Sequence, residues 1–125
     1  MVEVICDTSF LIHLATNRIK NLSALEVEIG RLQFVVPDTV IAELNKLSGL
    51  EEKKTTALTT LNFIKSYKII NLGGHFADDV VVSYVKKHGG VVATMDRELK
   101  NAVKKEGGSI ISVANNKIML ESSKV

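Results

Sequence analysis

The chain has no tryptophan, one proline, one cysteine, and only four phenylalanines and two tyrosines in 125 residues. Each scarcity excludes something. So few rings cannot build an extended platform on which many bases stack. Cys6 alone can form no intramolecular disulfide and has no CxxC partner. Its place in an apolar run makes it a core residue, and a cytoplasmic protein is the natural expectation. No apolar run approaches the roughly 20 residues needed to span a bilayer. Met1-Val2-Glu3-Val4 also lacks the basic segment and apolar stretch of a signal peptide, so no membrane partner is expected. There is no GxSxG elbow, no Walker A loop and no GxGxxG, which disfavours a serine hydrolase of that type and a phosphate-loop nucleotide fold. His13, His75 and His88 stand apart from one another with no thiolate cluster, so zinc is not expected and each histidine reads as a surface or boundary residue.

What is present is a globular composition. The hydrophobic share of 46% suits a buried core, and 125 residues suit one domain, expected to run over residues 1–125. The pattern alternates short apolar runs with helical spacings. Val2–Cys6, Phe34–Val36, Lys68–Leu72, Val91–Thr94 and Ile110–Val113 read as strands. Ser9–Ala15, Asn21–Gly30, Asp38–Leu47, Thr55–Ser66, Asp78–His88 and Arg97–Glu106 read as helices. In Thr55–Ser66 the apolar stripe is Ala57, Leu58, Leu61 and Ile64. Asp7, Thr8 or Ser9 can cap the first helix, and Asp38 or Thr39 the third. The tail after Asn115 is too short to assign. Strand-helix alternation of this kind predicts an α/β fold, a five-stranded parallel sheet with helices on both faces.

Acidic residues stand at the junctions of these elements. Asp7 and Asp96 each follow a strand, Glu43 lies inside a helix, and Asp78-Asp79 open another. Open parallel sheets bind ligands beyond the carboxyl ends of their strands, where the strand order reverses. In the order 3-2-1-4-5 the first and fourth strands are neighbours, which makes Asp7 and Asp96 neighbours too. On the helix from Asp78 to His88, Val80, Tyr84, Val81, Val85 and Val82 fill one broad arc. Asp78 falls within that arc and should face the sheet, whereas Asp79 falls outside it. Plainer roles remain open: Asp7, Asp78 and Asp96 as helix caps, and Glu43 as a boundary residue beside Val40, Ile41, Leu44 and Leu47. Taken together, three or four carboxylates suit Mg²⁺ or Mn²⁺, which prefer oxygen ligands and can activate water against a phosphodiester.

Net charge is only +2, yet Lys86, Lys87, Arg97, Lys100, Lys104, Lys105 and Lys117 crowd one stretch that holds only three acids, Asp96, Glu98 and Glu106. This is either a solvated helix face or a rim that binds phosphates beside the acidic site.

These residues resemble a PIN-domain protein over nearly the whole chain. The likeness lies in Ile5-Cys6-Asp7-Thr8-Ser9, in Val36-Pro37 with Val40-Ile41-Ala42-Glu43-Leu44, in Asp78, and in Val92-Ala93-Thr94-Met95-Asp96-Arg97-Glu98-Leu99. Asp96 follows Asp78 by 18 positions, a spacing similar to that of many PIN domains. The resemblance implies a three-layer sandwich with the sheet order 3-2-1-4-5 and a Mg²⁺- or Mn²⁺-dependent endoribonuclease acting on single-stranded RNA. It further implies metal-ligand roles for Asp7, Glu43, Asp78 and Asp96, with Asp79 exchangeable for Asp78 by a one-residue shift. Thr94, and Thr8 or Ser9, would orient a carboxylate or a water. Lys86, Lys87, Arg97, Lys100 and Lys104 would hold the RNA backbone. Ala77-Asp78-Asp79-Val80-Val81 and Val92–Asp96 are similar to the PIN nucleases that process small-subunit ribosomal RNA, which implies a ribosomal RNA or pre-ribosome partner. VapC-type toxins, which pair with an antitoxin and more often carry Asp-Ala at Asp78-Asp79, come next. A non-catalytic RNA-binding scaffold in ribosome assembly is a further reading, and PIN relatives often dimerise. A receiver-like regulatory domain is disfavoured, because Asn71-Leu72-Gly73 offers no phosphorylatable Asp.

Overall fold

The computed structural model describes residues 2–17, 30–74 and 77–121. Its strands are β1 (Val2–Cys6), β2 (Leu32–Pro37), β3 (Lys68–Ile70), β4 (Val91–Ala93), β5 (Ser109–Ala114) and β6 (Lys117–Glu121). Its helices are α1 (Thr8–Thr16), α2 (Asp38–Leu47), α3 (Lys54–Phe63), α4 (Ala77–His88) and α5 (Arg97–Lys105). The helix expected at Asn21–Gly30 lies outside the described residues apart from Gly30. No described helix is long and apolar enough to cross a membrane.

The strands lie in the order β3-β2-β1-β4-β5-β6. The first five are parallel neighbours, as expected, and the sheet carries a sixth strand that the sequence reading left unassigned. β6 returns antiparallel to β5 around Asn115 and Asn116, both with positive φ (54° and 60°). Two such residues make the tight turn whose twist suits a two-residue hairpin, and asparagine tolerates that backbone better than most residues.

Alternation along the buried strands builds two cores. Val4, Cys6, Val36, Ala93 and Ile111 point to one face, where Phe10 and Leu11 of α1, Val40 and Leu44 of α2 and Ile64 after α3 cover them. Ile5, Val35, Val92 and Ile110 point to the other, under Val81 and Val85 of α4 and Leu99 and Val103 of α5. Each Val, Leu, Ile or Phe among them contributes roughly 1.5–3 kcal/mol when fully buried, so both faces are apolar and the strands read as continuous apolar runs.

Two local expectations change. α3 ends at Phe63, earlier than Ser66. It is also rolled: Ala57, Thr60 and Ile64 are buried, while Leu58 is 47% exposed. The buried stripe thus runs i, i+3, i+7, and Thr60 is tolerated inside because its hydroxyl donates to the Thr56 carbonyl at 2.9 Å. At the start of α2, Pro37 occupies the cap position with no side-chain cap bond. Asp38 instead accepts from the Leu72 amide at 3.1 Å, tying the end of β3 to the start of α2.

Candidate active site

Register brings the site together. Cys6 pairs with Ala93 across β1 and β4, so the residues that follow, Asp7 and Thr94, emerge side by side. The Asp7 amide donates to the Ala93 carbonyl at 3.0 Å, and the Thr94 amide to Ile111 at 3.1 Å, which fixes the backbone on both sides.

Asp7 caps α1. Its Oδ1 accepts from the Phe10 amide and the Ser9 hydroxyl, both at 2.9 Å. Its Oδ2 accepts from Ser9 at 3.1 Å and from the Thr94 hydroxyl. The residue is only 4% exposed. Burial pushes its carboxyl above the ordinary range, against the pull of the Thr94, Phe10 and Ser9 hydrogen bonds, and the charge of Asp78 adds to the rise. Thr94 is fully buried and serves two neighbours: its hydroxyl donates to Asp7 and accepts from the Asp96 amide at 3.0 Å. The Met95 amide donates to Ser9 at 3.1 Å and closes the network. Of the two candidate hydroxyls after Asp7, Ser9 thus makes the contacts, and the buried Thr8 hydroxyl has no partner among the described residues.

Asp96 caps α5. Its Oδ1 accepts from Glu98 at 2.8 Å and Leu99 at 3.3 Å, and Oδ2 takes part in neither cap bond. Cap and site roles coincide at Asp7 and Asp96, because a strand-to-helix junction needs an acceptor at the place where a parallel sheet opens to a ligand. Asp78 opens α4. Its carboxyl is pushed up first by partial burial, then by the charges of Asp96, Glu43, Asp79 and Glu98. Negative fields from α2, α4 and α5 therefore overlap at the carboxyl ends of β1 and β4. Glu98 is a member that the sequence reading did not single out; its signal is its place in the first turn after Asp96. Asp79 lies one residue on and lines a groove beside Lys87 instead.

Among the described residues no three acidic, histidine or cysteine side chains stand close enough to grip a metal ion together. The donor chemistry nonetheless fits a hard divalent cation: every candidate ligand is a carboxylate, one is buried, and two are pushed up, chiefly by burial and further by neighbouring charge. Of the expected basic rim, Lys86, Lys87 and Arg97 are exposed. Lys100 and Lys104 are engaged by Glu121 of β6, at 3.5 and 2.7 Å, and so fasten the last strand to α5.

A model of the PIN-like domain matches residues 4–116. The chain belongs to the PIN-domain family. The solved PIN domain endonuclease Utp24 is 32% identical, with a TM-score of 0.75 over 96% of this chain and 91% of its own. Ribonuclease VapC4 of Methanocaldococcus jannaschii is 26% identical over 94% of each chain. A domain of another Methanocaldococcus jannaschii protein shares the fold at 15% identity, with a TM-score of 0.64 over 91% of this chain and 92% of that one. The α/β sandwich seen here is thus that of the PIN-domain family, and here its sheet has six strands, with β6 at the edge beside β5.

Proposed function

We propose that the protein is a divalent-metal-dependent endoribonuclease that cuts single-stranded RNA, with ribosomal RNA precursors as its substrate and the cytoplasm as its compartment. The observation that carries this reading is the buried Asp7 carboxylate, clamped by Ser9, Thr94 and the Phe10 amide and raised by the charge of Asp78, which in turn stands in the fields of Asp96 and Glu43. Buried and mutually repelling carboxylates cost stability unless a cation neutralises them. Asp7, Asp78, Asp96 and Glu43 would hold Mg²⁺ or Mn²⁺, with Asp79 the alternative to Asp78. The bound ion would lower the pKa of a water and offset charge developing on the scissile phosphate. The chain's own part is orientation: Thr94 links the Asp7 carboxylate to the Asp96 backbone, so that the two acids keep one geometry.

The likeness to Utp24, an endonuclease, and to VapC4, a ribonuclease, supports the reaction class. Ala77–Val81 and Val92–Asp96 support the ribosomal setting. A toxin paired with an antitoxin is the second reading, favoured by the match to VapC4 over nearly its full length. A processing enzyme is tolerated when expressed alone; a toxin arrests growth and is rescued by its antitoxin. The decisive test is cleavage of labelled single-stranded RNA with Mn²⁺, Mg²⁺ or EDTA, wild type beside Asp7→Asn. Metal-dependent cutting that the variant loses is expected. RNA bound but uncut by either protein would sink a nuclease acting on free RNA and leave a binding scaffold in ribosome assembly or an enzyme that needs its native ribonucleoprotein substrate.

A further inference from the structure

A groove runs beside α4 from the acidic set toward the opposite rim of the sheet. Its upper part encloses about 560 Å³ between Asp79, Ser83, Tyr84, Lys87 and His88 of α4 and the stretch Asn71–Gly74 that leaves β3. A second hollow of about 350 Å³ shares Tyr84 and His88 and continues past Ile70 to Glu3 and Gly89-Gly90. The groove follows from topology. Among the described residues only α4 and α5 cover this face of the sheet. Two helices about 10 Å across cover roughly four strands spaced about 4.8 Å apart, and among the described residues the groove lies over the β3 edge, Val35 of β2 being fully buried. The five α4 residues recur at i, i+4, i+5, i+8 and i+9, one side of the helix over about 14 Å of its length.

The chemistry of that face selects a ligand. The rings of Tyr84 and His88 lie 4.6 Å apart, tilted by 42°. Tyr84 is half-buried against the core beneath it, which holds its ring in place, while His88 is exposed. Tilted as they are, the two rings offer two partly apolar ring faces, either of which can take one base. Lys87, one position earlier, is exposed and supplies positive charge. At the far end Glu3 is paired with Lys68 at 3.0 Å, which offsets its repulsion of phosphates. Asp79 stands at the head of the groove, where a carboxylate can accept a hydrogen bond from the amino group of a base. An extended peptide would pair along the edge strand β3, whereas the upper groove is lined by α4 and by Asn71–Gly74 past the end of that strand.

We propose that this groove holds the single-stranded RNA flanking the scissile phosphate, with one base against Tyr84 and His88 and a backbone phosphate on Lys87. The proposal takes its substrate from the endoribonuclease reading, but its test needs no cleavage. Binding of a fluorescein-labelled single-stranded 12-mer RNA is followed by anisotropy in EDTA, for the wild type, Lys87→Glu, His88→Ala and Tyr84→Leu. Leucine keeps the packing under Tyr84, and the two exposed changes do not depend on it. Tyr84→Leu and His88→Ala are expected to weaken binding at least fivefold. Lys87→Glu is expected to weaken it and to lower the slope of log affinity against log salt by about one. Lys65→Glu, an equal charge change beyond α3 on the other layer, leaves binding as it was. Unchanged binding in folded Lys87→Glu and His88→Ala overturns the groove, whether or not the wild type cuts RNA. So does a groove whose NMR signals at Ser83 and Lys87 move with a peptide and not with the RNA. Groove-dependent binding by a protein that never cuts upholds this proposal and removes the nuclease reading alone.

Discussion

Thr94 is the residue on which the site's geometry turns. Its one hydroxyl donates to the Asp7 carboxylate and accepts from the Asp96 amide, so it locks two acids that lie 89 positions apart in the chain. Replacing it with valine keeps the shape and leaves the buried Asp7 carboxylate and the part-buried Asp96 amide without that bond. Thr94→Val should therefore cost about 1–3 kcal/mol of stability in a denaturant melt. It should also lower RNA cleavage by about 10–100-fold, the usual effect of losing a group that orients metal ligands. Thr94→Ser restores the hydroxyl and should recover most of the activity while lacking only a methyl. Equal loss in the serine variant would show that Thr94 acts through packing and not through its hydrogen bonds. The choice between Thr8 and Ser9 was not legible in the sequence. Both follow Asp7, and only the first turn of α1 decides that the Ser9 hydroxyl swings back to the carboxylate while that of Thr8 has no partner among the described residues.

At the scale of elements, periodicity located the strands and helices and failed where a single polar residue outweighs it. α3 is the clear case: its sequence offers Leu58 to the core, yet the helix buries Thr60, whose hydroxyl is satisfied within the helix. β6 is the other. Lys117–Glu121 is short and lies beyond the last glycine of the chain, so no pattern marks it, and contact with α5 and β5 is what holds it. Glu121 makes that contact. One oxygen accepts from Lys104 at 2.7 Å and the other from the buried Ser112 at 2.6 Å. The Lys104 bond first, then Ser112, holds its carboxyl down to about 2 from an ordinary 4.5. A depressed carboxylate contributes stability that is present above its unfolded value and is lost as pH falls through 4.5 toward about 2. Glu121→Gln should remove about 1 kcal/mol at neutral pH, a figure kept small because the pair is partly solvated. It should also flatten the fall in stability below pH 4.5. An acid limb of the melting profile that is unchanged in Glu121→Gln would refute this role.

For the molecule as a whole, the strand order was legible because parallel strands joined by helices admit few arrangements, and β1 beside β4 places Asp7 next to Thr94 and Asp96. Distances between carboxylates were not legible, since helical phase gives the direction of Asp78 and Glu43 but not how far mutual repulsion keeps them apart. That repulsion has a global consequence. Asp7 and Asp78 both have raised carboxyl pKa values, chiefly from burial and then from neighbouring charge. The native state therefore takes up protons before the unfolded chain does, and the metal-free protein should gain stability as pH falls from neutral toward about 4. Below that, the Glu121 effect takes over with the opposite sign. A divalent ion should replace the protons at neutral pH. At a concentration about 100 times its dissociation constant it should stabilise the fold by about 2.7 kcal/mol, or roughly 10 °C in melting temperature for a chain of this size. Melting curves at pH 7.5 and 5 with Mn²⁺, Mg²⁺ or EDTA check both effects in one series. Asp7→Asn should melt at or above the wild type in EDTA and respond little to either ion. A wild type that melts at one temperature with and without metal, and no higher at pH 5 than at 7.5, would mean that the acids at the head of the sheet do not act as one site.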